Sequence, residues 1–426
     1  MKSWVTIAVL FGLFSALGCS DQYKGTLPPR DRLNYPIGLA LHPDGRFLYV
    51  VNSNFDMSHR EEVGGTVSVI DTETLQILPA VTPYIPSFGG YIKLNRDATR
   101  AYVTTRHANE VIVLDVAGQG QALSCLTPGG VRSSDPDTCR VGRVPDVQGG
   151  AVLGSDPFGL EVATITRTEA NGDQTLIDLV NVSHLRGSQV TTIAFPNGEI
   201  GAASMRSAAL VAGGNQIAVR PGSLDFYVAG RSTNQVVYFQ PYVNPAGQVE
   251  AIVRRGAIAL SNGIEAVDAR GLAFGQSGRR LYVATRRPNT LHVIAIDPNN
   301  ARHEIVSTIS LGGRPSDVVV HSDANGDELV YVTGYNDGII EVIDPRAGVL
   351  VDTIAVGSSP YQLVIDQSPD RCRYPGDSCR GYVSLFNDTG SAALRCDDVE
   401  NGCGAVAVID LDPASPTYHQ VIAKIR

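Results

Sequence analysis

The sequence lacks the long Ala, Glu, Lys and Leu runs of a helical protein, and no segment carries an amphipathic stretch of helix length. Charged residues are sparse at 18%, and no basic excess exists. A formal net charge of −9 excludes a broad nucleic-acid surface and attraction to anionic lipid. Catalytic signatures are missing too: there is no Gly-x-Ser-x-Gly elbow, no His-Glu-x-x-His and no P-loop. Their absence lowers the expectation of an enzyme without removing it, since a site can be assembled from distant segments. The N-terminal apolar run, Trp4 to Leu17, is too short to span a bilayer comfortably. What is plentiful is Gly, at 44, and Pro, at 24, the mark of many turns and short strands.

The first residues speak about compartment. Met1-Lys2 and the apolar run lead to Ala16-Leu17-Gly18-Cys19, which resembles a bacterial lipobox, although Ala16 and Leu17 stand in the reverse of the usual order. The resemblance implies that residues 1–18 are removed, that Cys19 receives a diacylglycerol, and that 19–33, with Pro28-Pro29, form anchor and tether. A secretory signal cut after Gly18 is the other reading. Lipidation at Cys19 would leave six of the seven cysteines, in close-set pairs: Cys125/Cys139, Cys372/Cys379 and Cys396/Cys403. In an oxidising compartment these read as three local disulfides pinning loops, with a zinc site as the alternative. Ser20, by resemblance to enterobacterial sorting rules, favours the outer membrane. The expected location is the cell envelope, reached by the lipid alone.

Repetition is the strongest signal. The segment from Gly38 to Val50, GLALHPDGRFLYV, is matched by Gly271 to Val283, GLAFGQSGRRLYV. Tyr-Val recurs at 49, 102, 227, 282, 331 and 382, and Leu179-Val180 is read as its stand-in. The spacings are 53, 77, 48, 55, 49 and 51, only the second being out of line. After each comes a β-branched run closed by Asp or a turn: VSVID, VIVLD, VVYFQ, HVIAID, IEVID and VAVID. Four locally connected strands every fifty or so residues predict an all-β fold, a single β-propeller of about seven blades over 34–426.

LYVVNS…GTVSVID and LVYVTGYNDGIIEVID resemble the YVTN family of β-propeller repeats. The resemblance implies the architecture. Function it leaves open, because the family includes surface-layer and binding proteins and related propellers include lactonases.

Long insertions at 52–65, 117–155 and 387–404 should share the face of the B–C loops, with 367–381 on the opposite one. Four residues after the Tyr stand Arg106, Arg231 and Arg286, the last beside Arg287, with Tyr335 and Phe386 at the same place in two other blades. Converging guanidiniums grip a carboxylate or phosphate in bidentate fashion; the plainer reading is that each caps a local carbonyl or pairs with a nearby carboxylate. Asp56, His59, Glu61 and Glu62 are a candidate metal cluster read as solvated loop charge, and Asp323–Asp327 is read as an ordinary Asn-Gly turn. No metal and no cofactor is expected. The expected function is a non-catalytic binding lipoprotein whose partner is an envelope protein, a glycan or a small anionic ligand, with no nucleic acid involved. A lactonase-like hydrolase is the alternative, with Glu110 or Asp337 as the nearest candidate bases.

Overall fold

The structure, a computed structural model, describes residues 25–126, 131–133, 139–144, 151–168, 172–297, 302–322, 327–367, 371–372, 379–390 and 403–426. The proposed signal segment, Cys19, Cys396 and the first part of the 323–327 turn lie outside them. The molecule is a seven-bladed propeller. The innermost strands are Pro36–Leu41, Gly89–Leu94, Pro157–Thr168, Gly214–Val219, Ala269–Phe274, Pro315–Ser322 and Pro360–Ile365. From each of these the sheet runs outward, strand by antiparallel strand, in sequence order. The last blade takes all four of its strands from 360–425, so the ring closes without a strand borrowed from the N-terminus.

Blade 2 departs from the simple pattern. Its outer edge is split between Ala122–Leu126 and Arg140–Val141, which pair with different halves of Glu110–Ala117. The Cys125–Cys139 disulfide ties the two pieces. Cys372–Cys379 is the second disulfide, and Cys403 is disulfide-bonded as well. The 117–155 segment is therefore not one connection, because its first ten residues form a turn and a strand. The residues expected to be a tether differ too: from Thr26 they lie against blade 1, where Arg60 N–H donates to the Thr26 carbonyl and Leu33 is buried.

The recurring Tyr has a physical reason. In five blades its buried hydroxyl meets a group of the next blade. Tyr49 donates to the Gly120 carbonyl at 2.6 Å and Tyr102 to Asp178 at 2.7 Å. Tyr282 donates to Glu328, and Tyr227 and Tyr331 meet the ring nitrogens of His303 and His419 at 3.3 and 3.1 Å. Apolar strand faces complete the joints, as where Tyr282, Leu291 and Val293 of blade 5 pack on Val318, Val330 and Val332 of blade 6. The core lies between blades.

Blade 3 needs a correction. Leu160 pairs with Val182 as Ile92 pairs with Val103, so its counterpart of Tyr-Val is Asn181-Val182 and not Leu179-Val180. Both blade-3 strands are unusually long, and the two-residue slip preserves which face each residue takes.

Tyr102→Phe tests the joint. Asp178 is 2% exposed and accepts from Tyr102, Asn95 and Thr164. Losing one donor to a buried carboxylate should cost about 2 kcal/mol, read from the shift of the urea midpoint. A midpoint unmoved by the change would mean that the tyrosines fill space and do not lock blades.

Candidate anion-binding site

One backbone hydrogen bond is repeated in all seven blades. The N–H of the residue four after the strand-B tyrosine position donates to the carbonyl of the residue just before the innermost strand. The pairs are Ser53–Tyr35, Arg106–Phe88, Leu185–Asp156, Arg231–Gly213, Arg286–Asp268, Tyr335–Arg314 and Phe386–Ser359, at 2.9 to 3.2 Å. Six of the seven acceptors are left-handed: Tyr35, Phe88, Asp156, Gly213, Asp268 and Ser359 have φ between 51° and 99°. For a non-glycine residue this conformation costs about 1 kcal/mol or more. The hydrogen bond offsets it and sets the two side chains side by side at the mouth of the channel.

A second repeated device lies just inside. Every innermost strand shifts register at its upper end, for example between Ala269 and Gly271 and between Pro360 and Leu363. Such bulges re-aim side chains. Here they bring Arg270 and Tyr361 into the cluster that the loop arginines form.

The arginines stand near enough to Tyr361 for their charges to act on it. Arg270, Arg231, Arg106 and Arg286 all lower the pKa of its hydroxyl, yet burial outweighs them and pushes it up to about 12. Burial, reinforced by Arg270, likewise lowers Arg286 to about 10 and lowers Arg231. Tyr335 packs edge-on against Tyr361, with ring centroids 6.2 Å apart. All four sequence-derived ligand candidates therefore stand in one place.

Two carboxylates hold the guanidiniums. Asp156 accepts from Arg106 Nε at 2.5 Å, and Arg186 lies 3.6 Å from it. Asp268, 4% exposed, takes a bidentate grip from Arg270 at 2.7 and 3.0 Å, with Arg231 and Arg287 each 3.9 Å away. Arg286 Nε donates to the Pro315 carbonyl at 2.6 Å. The plainer reading thus holds in part: each loop arginine has a local partner. Among the described residues the sum still leaves a surplus, since Arg106, Arg231, Arg270 and Arg286 face two carboxylates. In a chain of net charge −9 this is a local reversal of sign. The Tyr91 hydroxyl and Asn215 Oδ1 are buried without a hydrogen-bond partner among the described residues.

The candidate bases are used elsewhere. Glu110 pairs with Arg140 at 2.5 Å, and Asp337 accepts the Arg314 N–H at 2.9 Å. Of the candidate metal cluster, Glu61 faces His107 at 3.3 Å and His59 lies 3.3 Å from the Thr26 hydroxyl. Among the described residues no group of three His, Cys, Asp or Glu is placed to hold a metal ion. Arg270, Tyr361, Asp156 and Asp268 escaped the sequence reading. Aligning the innermost strands on one another would have exposed the first two, as the positions where an otherwise regular repeat changes character.

No family model matches the chain, and no curated protein does. Solved structures match in fold. The periplasmic gluconolactonase PpgL of Pseudomonas aeruginosa is 19% identical, with a TM-score of 0.54 over 77% of this chain and 87% of its own. Hydrazine synthase of Kuenenia stuttgartiensis is 13% identical, with a TM-score of 0.54 over 90% and 97%. A functionally unknown protein from Desulfotomaculum acetoxidans is 12% identical, at 0.55 over 84% and 92%. Likenesses this distant carry the fold alone.

Proposed function

We propose that the protein is a non-catalytic binding protein for a small organic anion, held in the arginine cup at the channel mouth. One observation carries the reading: four guanidiniums from three blades gather near Tyr361, and among the described residues two carboxylates pair with them. A carboxylate or phosphate entering the cup is met by planar donors already desolvated and braced, which lowers the ordering cost of binding. We propose further that Cys19 carries a lipid that tethers the ring at the cell envelope, as in a lipoprotein with YVTN-type repeats.

A lactonase-like hydrolase is the second reading. Asp156 and Asp268 favour it, because each places a carboxylate beside the arginines, and the fold is shared with a gluconolactonase. Both carboxylates are committed to guanidiniums, however, so neither is free to activate water.

A thermal-shift titration with phosphate, acetate, sugar phosphates and lactones separates these. The native protein should be stabilised by anions in a dose-dependent way. An Arg106→Ala, Arg231→Ala, Arg286→Ala triple variant should bind at least 100-fold more weakly, the loss of several charge-assisted hydrogen bonds. A shift that survives in the variant places the anion elsewhere, and turnover of any lactone establishes the hydrolase.

A further inference from the structure

The mouth has two unlike halves. On blades 3 to 6 the paired mouth positions carry Asp156, Arg231, Asp268, Arg286 and Arg314. On blades 7, 1 and 2 they carry Phe386 with Ser359, Tyr35 with Ser53, and Phe88 with Arg106. Phe55, from the blade-1 loop, leans over these three aromatics and is 49% exposed. Its ring centre lies 6.1 Å from Tyr35, 5.6 Å from Phe88 and 5.2 Å from Phe386, the last two edge-on. Tyr35 and Phe386 stand 5.2 Å apart. None of these four is among the fully buried core residues.

Two facts set this group apart from scattered surface aromatics, which are common. Tyr35 and Phe88 sit in left-handed backbone, so aromatic side chains are presented at the mouth in the least favourable conformation for an L-residue. And the aromatic half is continuous with the charged half. The Arg106 guanidinium lies 5.8 Å from the Phe88 ring centre and 5.5 Å from that of Phe158, and Phe158 stands 6.3 Å from Tyr361. Arg106 thus belongs to both, its charge in the cup and its guanidinium within cation–π reach of the rings.

We propose that the crescent of Tyr35, Phe55, Phe88 and Phe386 is the second half of the anion site, and that the ligand is an organic anion bearing a planar unsaturated ring. This rests on the anion reading above and adds the class of ligand. The acid group enters the arginines while the ring lies against the crescent, where edge-to-face contact rewards a flat π-system over a puckered aliphatic ring. Carboxylate and phosphate head groups satisfy the same guanidiniums, so both are probed.

The test is calorimetric titration of the native protein with matched probes. Phenyl phosphate should bind at least 10-fold more tightly than inorganic phosphate, and benzoate at least 5-fold more tightly than cyclohexanecarboxylate. In Phe55→Ala, an exposed position whose loss leaves the core intact, the advantage of the planar ring should vanish while inorganic phosphate binds as before. If phosphate binds and the ring adds nothing, or if Phe55→Ala weakens all probes alike, the crescent is not part of the site and the anion reading stands alone. If neither phosphate nor any carboxylate binds, the anion reading and this inference fall together.

Discussion

Asp268→Asn should destabilise the protein by about 3 kcal/mol or more, and added phosphate should restore part of that loss. The carboxylate is buried, doubly bonded to Arg270, and near both Arg231 and Arg287. Asparagine keeps its size and tolerates the left-handed backbone at this position, so the change removes little except charge. The arginines then repel one another without an internal counter-ion. An anion from solution can take the missing role, so the melting temperature of the variant should climb more steeply with phosphate concentration than that of the native protein. A variant as stable as its parent would mean that the cluster is not held together by this carboxylate. Equal phosphate slopes would mean that phosphate does not take the place of the Asp268 carboxylate.

The second large effect concerns pH and a residue deeper in the channel. Asp317, 1% exposed, accepts from Gln216 Nε2 at 2.6 Å and from the Leu363 N–H at 3.0 Å, with the Lys93–Glu161 ion pair close by. Burial outweighs these hydrogen bonds and the pull of Lys93, and raises the carboxyl to about 6. A folded pKa above the unfolded value near 3.9 means that folding favours the protonated form. The corresponding stabilisation is complete below about pH 4 and is lost as pH rises through 6, an amplitude of about 3 kcal/mol. Asp352, Asp388 and Asp410 work in the opposite sense, being held low by their partners. The diagnostic is therefore the difference between native protein and Asp317→Asn. Whatever its offset, that difference should move by about 3 kcal/mol in favour of the variant between pH 4 and pH 7. A flat difference would show Asp317 to titrate as an ordinary carboxylate.

What the sequence revealed follows what the backbone holds constant. Strand B runs straight from its tyrosine to its fourth following residue, so Arg106, Arg231, Arg286 and Tyr335 keep one offset and can be aligned by eye. Arg270 and Tyr361 sit within a bulge, which breaks the alternation that sorts inside from outside along a strand. Asp156 and Asp268 follow connections of unequal length, so no fixed spacing points to them. Blade 3 misled for a different reason. Leu179-Val180 and Asn181-Val182 share parity on a long strand, and buried Asn181 is held by Thr192 where its siblings have a tyrosine. Glu110 and Asp337 illustrate the remaining limit, because nearness in sequence said nothing about the partners each had already found.

The seven hydrogen bonds at the mouth join main chain to main chain. Nothing in them reads a side chain, so the letters at either end differ from blade to blade while the main-chain frame repeats. The ring is in this sense a type case: the slots are fixed and the text is open. A substitution at such a slot changes what the mouth presents without removing the main-chain hydrogen bond that sets the slot. Resemblance between two such rings reports a common holder, and the message is found only by reading the slots.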